Sequence, residues 1–266
     1  MKLHKLAVLS ALAAGSLWSQ DASAQFSYSQ GDLLLGLRTP GGGNDLIVDI
    51  GPSSQYVGAS GPIAISGNYF TSAQFTASGV NINNLYFSVF GDNGANTLFV
   101  TANSTLTRHT GNSQSGAASQ FEAIAAGAGD AGSYYTANAA NSSSAVITPN
   151  NFIAGGGTDL SYTQGVLNPA LGVGNFSYFP VVNEINTAAG FNAGSSPVYL
   201  NLYQLSPYSN NTTQPPGTQL GYFELDPNGT LTFNPGVAPV PEPVSWAMFG
   251  AGMLALGAVR KFRRPV

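Results

Sequence analysis

The sequence predicts a mainly β fold, a β-sandwich or jelly-roll-like domain with one short helix. Three observations lead there. Apolar and aromatic runs of five to eight residues recur between clusters of Gly, Pro, Asn and Asp. Several of these runs alternate apolar and polar residues with a period of two. Turn formers are abundant, with 33 glycines and 16 prolines in 266 residues.

In chain order, Leu33–Arg38 and Asp45–Ile50 read as strands around Thr39-Pro40-Gly41-Gly42-Gly43-Asn44, a hairpin loop. Leu85–Phe90 follows an Asn-rich turn, and Thr97–Thr101 follows Asp92-Asn93-Gly94. Ala117–Ala126 is the one helix, with Ser119 and Glu122 at capping-box spacing. Residues 127–160 are rich in Gly, Ala, Ser and Asn and read as long loops. Val198–Leu205 places Val198, Leu200 and Leu202 on one face. Gly221–Leu225 and Thr230–Phe233 flank Asp226-Pro227-Asn228-Gly229, whose Asn-Gly step signals a hairpin. Such strands are expected to face a core on one side and water on the other.

Composition excludes several functions. Charged residues make up 8% of the chain, against roughly 25% in ordinary soluble domains. There is no cysteine, which excludes disulfides, thiol nucleophiles, iron–sulfur clusters and Cys-ligated zinc. Two histidines, His4 and His109, cannot build a multi-histidine metal site. Between residues 25 and 239 only Arg38 and Arg108 oppose ten acidic residues, a net of −8. Such a surface cannot neutralise a run of phosphates, so nucleic acid is excluded as a partner.

The ends read as membrane signals. Lys2, His4 and Lys5 precede an apolar stretch from Leu6 to Trp18, and Ala22-Ser23-Ala24 is a small-x-small cleavage site. Residues 1–24 are therefore expected to be a signal peptide, with Gln25 opening the mature chain. Residues 25–236 form the extracytoplasmic domain, and residues 237–243 a linker stiffened by proline. Residues 244–259 carry no charge and would rise roughly 24 Å as a helix, short for a bilayer but usable with snorkelling basic residues. Arg260, Lys261, Arg263 and Arg264 in the tail 260–266 mark the cytoplasmic side and stop transfer.

Pro241-Glu242-Pro243, an apolar helix and an arginine-rich terminus in that order resemble the PEP-CTERM sorting signal of Gram-negative bacteria. The resemblance covers residues 240–266. It implies an exosortase as partner, cleavage near Pro241–Pro243, and delivery to the cell surface or extracellular matrix beside exopolysaccharide. Pro241, Glu242 and Pro243 would be residues of a processed substrate, with no catalytic role. The tail is an address and leaves the activity of the domain open.

No motif in the domain commits to chemistry, cofactor or metal. Gly127-Ala128-Gly129-Asp130-Ala131-Gly132 matches G-x-G-x-x-G, but a helix-like stretch precedes it where the dinucleotide fingerprint needs a strand, so it reads as a flexible loop. Counting twelve positions from Asp92 or Asp226 gives Asn103 or Val237, neither an EF-hand carboxylate, so both read as turns, with a looser calcium site of Asp side chains and loop carbonyls as the alternative. Asp45 and Asp49 share one side of a strand and could pair as ligands; the preferred reading has them facing water. His109 lacks a G-x-S-x-G partner and reads as a surface histidine. Tyr134, Tyr135, Tyr162, Tyr178, Tyr199, Tyr203, Tyr208 and Tyr222 stand among Asn, Gln, Ser and Thr. That mixture suits sugars as well as strand packing, and no single tyrosine is assigned. The leading expectation is a non-catalytic surface or matrix protein associated with exopolysaccharide. The alternative is a secreted polysaccharide hydrolase using a carboxylate pair.

Overall fold

In a computed structural model the described residues are 26–40, 44–71, 75–76, 78–94, 97–130, 133–135, 144–147, 160–168, 173–191, 197–209 and 213–238. The signal peptide with its cleavage residues Ala22, Ala24 and Gln25, the motif Pro241–Pro243, the apolar stretch 244–259 and the basic tail lie outside them. Among the described residues no helix is long and apolar enough to cross a membrane.

The fold is mainly β. The strands are β1 (Asp32–Arg38), β2 (Asp45–Pro52), β3 (Ile63–Ala64), β4 (Tyr86–Asp92), β5 (Leu98–Ala102), β6 (Ser133–Tyr135) and β7 (Ser144–Ile147). After them come β8 (Leu167–Asn168), β9 (Val173–Gly174), β10 (Ile185–Asn186), β11 (Val198–Leu205), β12 (Thr218–Leu225) and β13 (Leu231–Pro235). Helix α1 (Gly111–Asp130) precedes β6, α2 (Tyr162–Val166) precedes β8, and α3 (Thr187–Phe191) follows β10. One antiparallel sheet runs in the order β3-β13-β12-β11-β5-β4-β1-β2-β7-β6. The hairpin at Asp226–Gly229 closes as its sequence requires: Asp226 N–H donates to Thr230 O (2.9 Å), and Gly229 takes φ +87°.

The sheet curls. Its inner face carries Leu33, Leu35 and Leu37 of β1, Val48 of β2, Leu200 and Leu202 of β11, and Phe223 and Phe233 of β12 and β13, all in one apolar cluster. Tyr56, just after β2, closes this core. Its hydroxyl donates to Ile50 O (2.7 Å), and its ring meets Phe233 edge-on at 5.1 Å and Phe223 at 6.0 Å. β2 and β13 are thus bridged although five strands lie between them in the sheet.

The outer face of β1, β2, β4 and β5 is covered as well. Ala117, Phe121, Ile124 and Ala128 of α1, spaced 4, 3 and 4, present one buried stripe to Leu34, Ile47, Phe90 and Val100. Phe176 sits at the centre, 5.1 Å from Phe90 and 4.9 Å from Phe121. It holds φ +50°, and the Asn175 side chain fixes this turn by accepting from Ser177 N–H (3.1 Å) and donating to Phe179 O (2.7 Å).

Three expectations change. β1 is buried at all seven positions and β2 at seven of eight, so these strands do not face water. The helix is 20 residues long, and Ser119 lies inside it, donating to Ser115 O (3.0 Å). The capping box is at α2, where Ser161 and Gln164 cap each other. Finally, the stretch expected as loops holds the end of α1 and strands β6 and β7, which extend the sheet beyond β2.

Candidate functional site

The candidate residues fall into two groups, both on the outer face of the sheet. The first is the set of carboxylates. β4 and β5 pair only from Phe90 to Asp92; further along β4, Phe87 and Tyr86 pair instead with β10. Asn183 and Thr101 hold the fork open, Asn183 Nδ2 donating to Thr101 O (2.7 Å) and Thr101 Oγ1 to Asn183 O (2.9 Å). The next residue, Glu184, is thereby laid over Arg38. Arg38 Nε and Nη2 donate to Glu184 Oε1 (2.8 Å) and Oε2 (2.7 Å), a bidentate pair with side chains 9% and 1% exposed. Tyr162 also donates its hydroxyl to Glu184 Oε1 (2.7 Å) and therefore accepts from Ser88 Oγ (2.7 Å). The Arg38 guanidinium lies 4.2 Å over the Tyr86 ring. Backbone space permits the stack: a Cβ at Gly36 would stand 2.5 Å from the Tyr162 ring, and one at Gly174 would collide with the Glu184 carboxylate.

Asp45 and Asp49, expected to face water, are each 1% exposed. They do not pair with each other. Asp45 accepts from Thr163 N–H and Thr163 Oγ1, both at 2.7 Å. Burial pushes its carboxyl up to about 7 despite those donors and the nearby Arg38. Asp49 accepts from Gly51 N–H (2.8 Å) and lies near enough to Asp32 to feel its charge. Burial, with the Asp32 charge adding to it, pushes Asp49 up to about 8; burial also raises Asp32. Beyond this pair, Gln30 Nε2 reaches Asp92 Oδ1 (3.4 Å) and Glu122 Oε1 (3.3 Å) at a cleft of about 480 Å³ lined also by Phe26 and Tyr28. Burial and the surrounding acids raise the Tyr28 hydroxyl.

A glycosidase needs two accessible carboxyls roughly 5 to 9.5 Å apart. Asp32 and Asp49 are both buried. Gln30 fills the gap between Asp92 and Glu122, and Asp92 is 1% exposed.

The other candidates resolve as follows. The glycine motif from Gly127 begins in the last turn of α1, so no strand leads into it. Asp92-Asn93-Gly94 is a turn, with Gly94 N–H donating to Asp92 Oδ1 (2.8 Å) and φ +76° at Gly94. His109 is half-buried, its Nε2 sealed without a partner and its ring 6.2 Å from Phe179; burial lowers its pKa. Among the described residues no group of three His, Asp or Glu side chains is placed to hold a metal ion. Tyr162 and Tyr203 are core residues, Tyr178 is exposed, and Tyr208 is half-buried.

The second group lies where the outer face continues past the covering helix. On β11, β12 and β13 the inward residues are Leu200, Phe223 and Phe233, so Tyr199, Asn201, Tyr222, Glu224, Thr232 and Asn234 point outward. All six are half-buried. Register sets Asn201 opposite Tyr222 and Tyr222 opposite Asn234. The Tyr199 and Tyr222 rings meet edge to face, 5.6 Å apart at 75°. Gln219 Nε2 donates to Asn201 Oδ1 (3.1 Å), and Asn234 Nδ2 to Glu224 Oε2 (3.0 Å).

No family model, no curated protein and no solved structure matches this chain.

Proposed function

We propose that this chain is an exported, non-catalytic protein of the cell surface or extracellular matrix, associated with exopolysaccharide. The observation that carries the reading is how the domain distributes its polar groups. Asp32, Asp45, Asp49, Asp92 and Glu184 are buried and engaged inside the fold, whereas strands β11–β13 turn amides, hydroxyls and tyrosines outward. Neutral hydrogen-bonding groups bind sugars and water with little dependence on salt. The curled sheet wraps one inner apolar core, which supports reading the domain as sandwich-like, a form suited to displaying one sheet face.

The address comes from the termini. Residues 1–24 direct export through the inner membrane, 244–259 anchor the chain, and Arg260, Lys261, Arg263 and Arg264 hold the tail in the cytoplasm. An exosortase then cuts near Pro241–Pro243. The buried carboxylates weigh against the hydrolase alternative, because a general acid must reach its substrate.

The test incubates the protein with the exopolysaccharide of its own host and measures retention and reducing-end release together, alongside the intact mass of the surface form. Retention without release, and a mass ending near Pro243, are expected. Release of reducing ends would overturn the non-catalytic reading, and a surface form ending at Val266 would overturn the processing.

A further inference from the structure

We propose that the open outer face of β11, β12 and β13 is the carbohydrate site, and that it takes single chains of a neutral polysaccharide with Tyr199 and Tyr222 as its stacking residues. The proposal rests on the exopolysaccharide reading above and names its site and ligand class.

The argument starts with what the strands turn outward. Tyr199 and Tyr222 belong to neither of the two apolar clusters, so they are not there to fill a core. Two half-exposed aromatic rings on adjacent strands present apolar faces of the size of a pyranose ring. Around them stand Asn201, Thr232 and Asn234, whose amides and hydroxyl match the vicinal hydroxyls of a sugar. Two of the amides are fixed in advance, Asn201 by Gln219 and Asn234 by Glu224, so ordering them costs little on binding.

Charge selects the polymer. Glu224 lies directly opposite Tyr199, Asp226 just past β12 is near enough for its charge to act on the Tyr199 hydroxyl, and the domain around them carries a formal net of −8. An anionic polysaccharide would be repelled there, and a cationic one would find one carboxylate already bonded to Asn234. Ring geometry selects its form. Rings 75° apart cannot both lie on the flat surface of a crystalline polymer. A solvated chain that twists between successive sugars meets one ring and then the other.

The test is affinity electrophoresis of the full-length protein in a sugar-free zwitterionic detergent, through gels holding amylose, dextran, hydroxyethyl cellulose, alginate or the host's own exopolysaccharide. Retardation by at least one neutral soluble glucan and none by alginate is expected, with no pull-down on crystalline cellulose. Tyr199→Ala and Tyr222→Ala should each weaken binding roughly tenfold while the melting curve stays unchanged, and Tyr222→Phe should bind like the parent. If host exopolysaccharide retards the parent and both alanine variants equally, the site is wrong and the exopolysaccharide reading stands. If no polymer retards the parent, both fall. A parent that is dimeric by size exclusion and becomes monomeric on Tyr222→Ala would make the face a self-association surface and overturn the proposal.

Discussion

The two faces of strands β1, β2, β4 and β5 are both buried, and they are held by different physics. The inner face is apolar apart from Thr101 of β5: Leu33, Leu35, Leu37, Leu46, Val48, Ile50, Phe87 and Val89. Its stability is area removed from water, which is non-directional and tolerant of reshaping. The outer face of the same strands carries Asp32, Arg38, Asp45, Asp49, Ser88 and Asp92 among Leu34, Ile47 and Phe90. There every charged group depends on a partner at hydrogen-bond geometry, and one lost partner leaves a charge in a low dielectric. The apolar face fixes that the sheet curls; the charged face fixes what covers it.

The largest effect should separate the faces by one conservative swap on each. Glu184→Gln preserves volume but leaves Arg38 without its carboxylate, which should cost about 3–5 kcal/mol in urea unfolding. Leu200→Met, equally conservative on the inner face, should cost less than about 1.5 kcal/mol. Equal costs would erase the distinction.

Acidity should act on the outer face alone. Asp45 and Asp49 have folded pKa values of about 7 and about 8, above an unfolded value near ~3.9. Above pH ~4 the unfolded chain has released protons that the folded chain still holds. Their contribution to stability is therefore greatest at the acid end, falls as pH rises to about 8, and is flat beyond. Each group still protonated lowers stability by about 1.4 kcal/mol per pH unit. Unfolding free energies at pH 5, 6, 7 and 8 should fall in that order, and Asp49→Asn should flatten the slope. A slope unchanged in Asp49→Asn would remove the raised Asp49 carboxyl from the account.

Gly36→Ala should give a smaller loss, about 1–3 kcal/mol, because the new methyl meets the Tyr162 ring at 2.5 Å. Tyr162→Leu in the same background should recover part of it. The melting temperature reports both, and a neutral Gly36→Ala would show that the ring does not sit tightly over the strand.

The inner face was legible in the sequence and the outer face was not. Alternation in Val198–Leu205 and the Asp226–Gly229 turn are local, and they appear as read. The outer layer is assembled from distant residues: Arg38 meets Glu184 146 positions away, and Asp45 meets Thr163 118 positions away. Strand-end aspartates look solvated when such partners are out of view. Two signals did point inward. Leu33-Leu34-Leu35-Gly36-Leu37 is continuous rather than alternating, the mark of a strand covered on both sides. An arginine ending that run in a domain with only one other basic residue needs a buried acid. The helix was underestimated because Gly116, Gly127 and Gly129 lower its propensity, and packing of Phe121 and Ile124 against the sheet outweighs them. On the sugar side, tyrosines in alternating strands were visible as a class. Separating half-buried Tyr199 and Tyr222 from buried Tyr162 and Tyr203 required knowing how far the covering layer extends, because Tyr199 and Tyr203 lie on the same face of β11.

The central claim is that the buried acidic residues Asp32, Asp45, Asp49, Asp92 and Glu184 hold the outer layer onto the sheet. A double-mutant cycle on Arg38 and Glu184 tests it most directly. Arg38→Met and Glu184→Leu alone should each destabilise by about 3–5 kcal/mol, and the double variant by far less than their sum, since two apolar groups leave no charge unpaired. Additive losses in the cycle would contradict the claim.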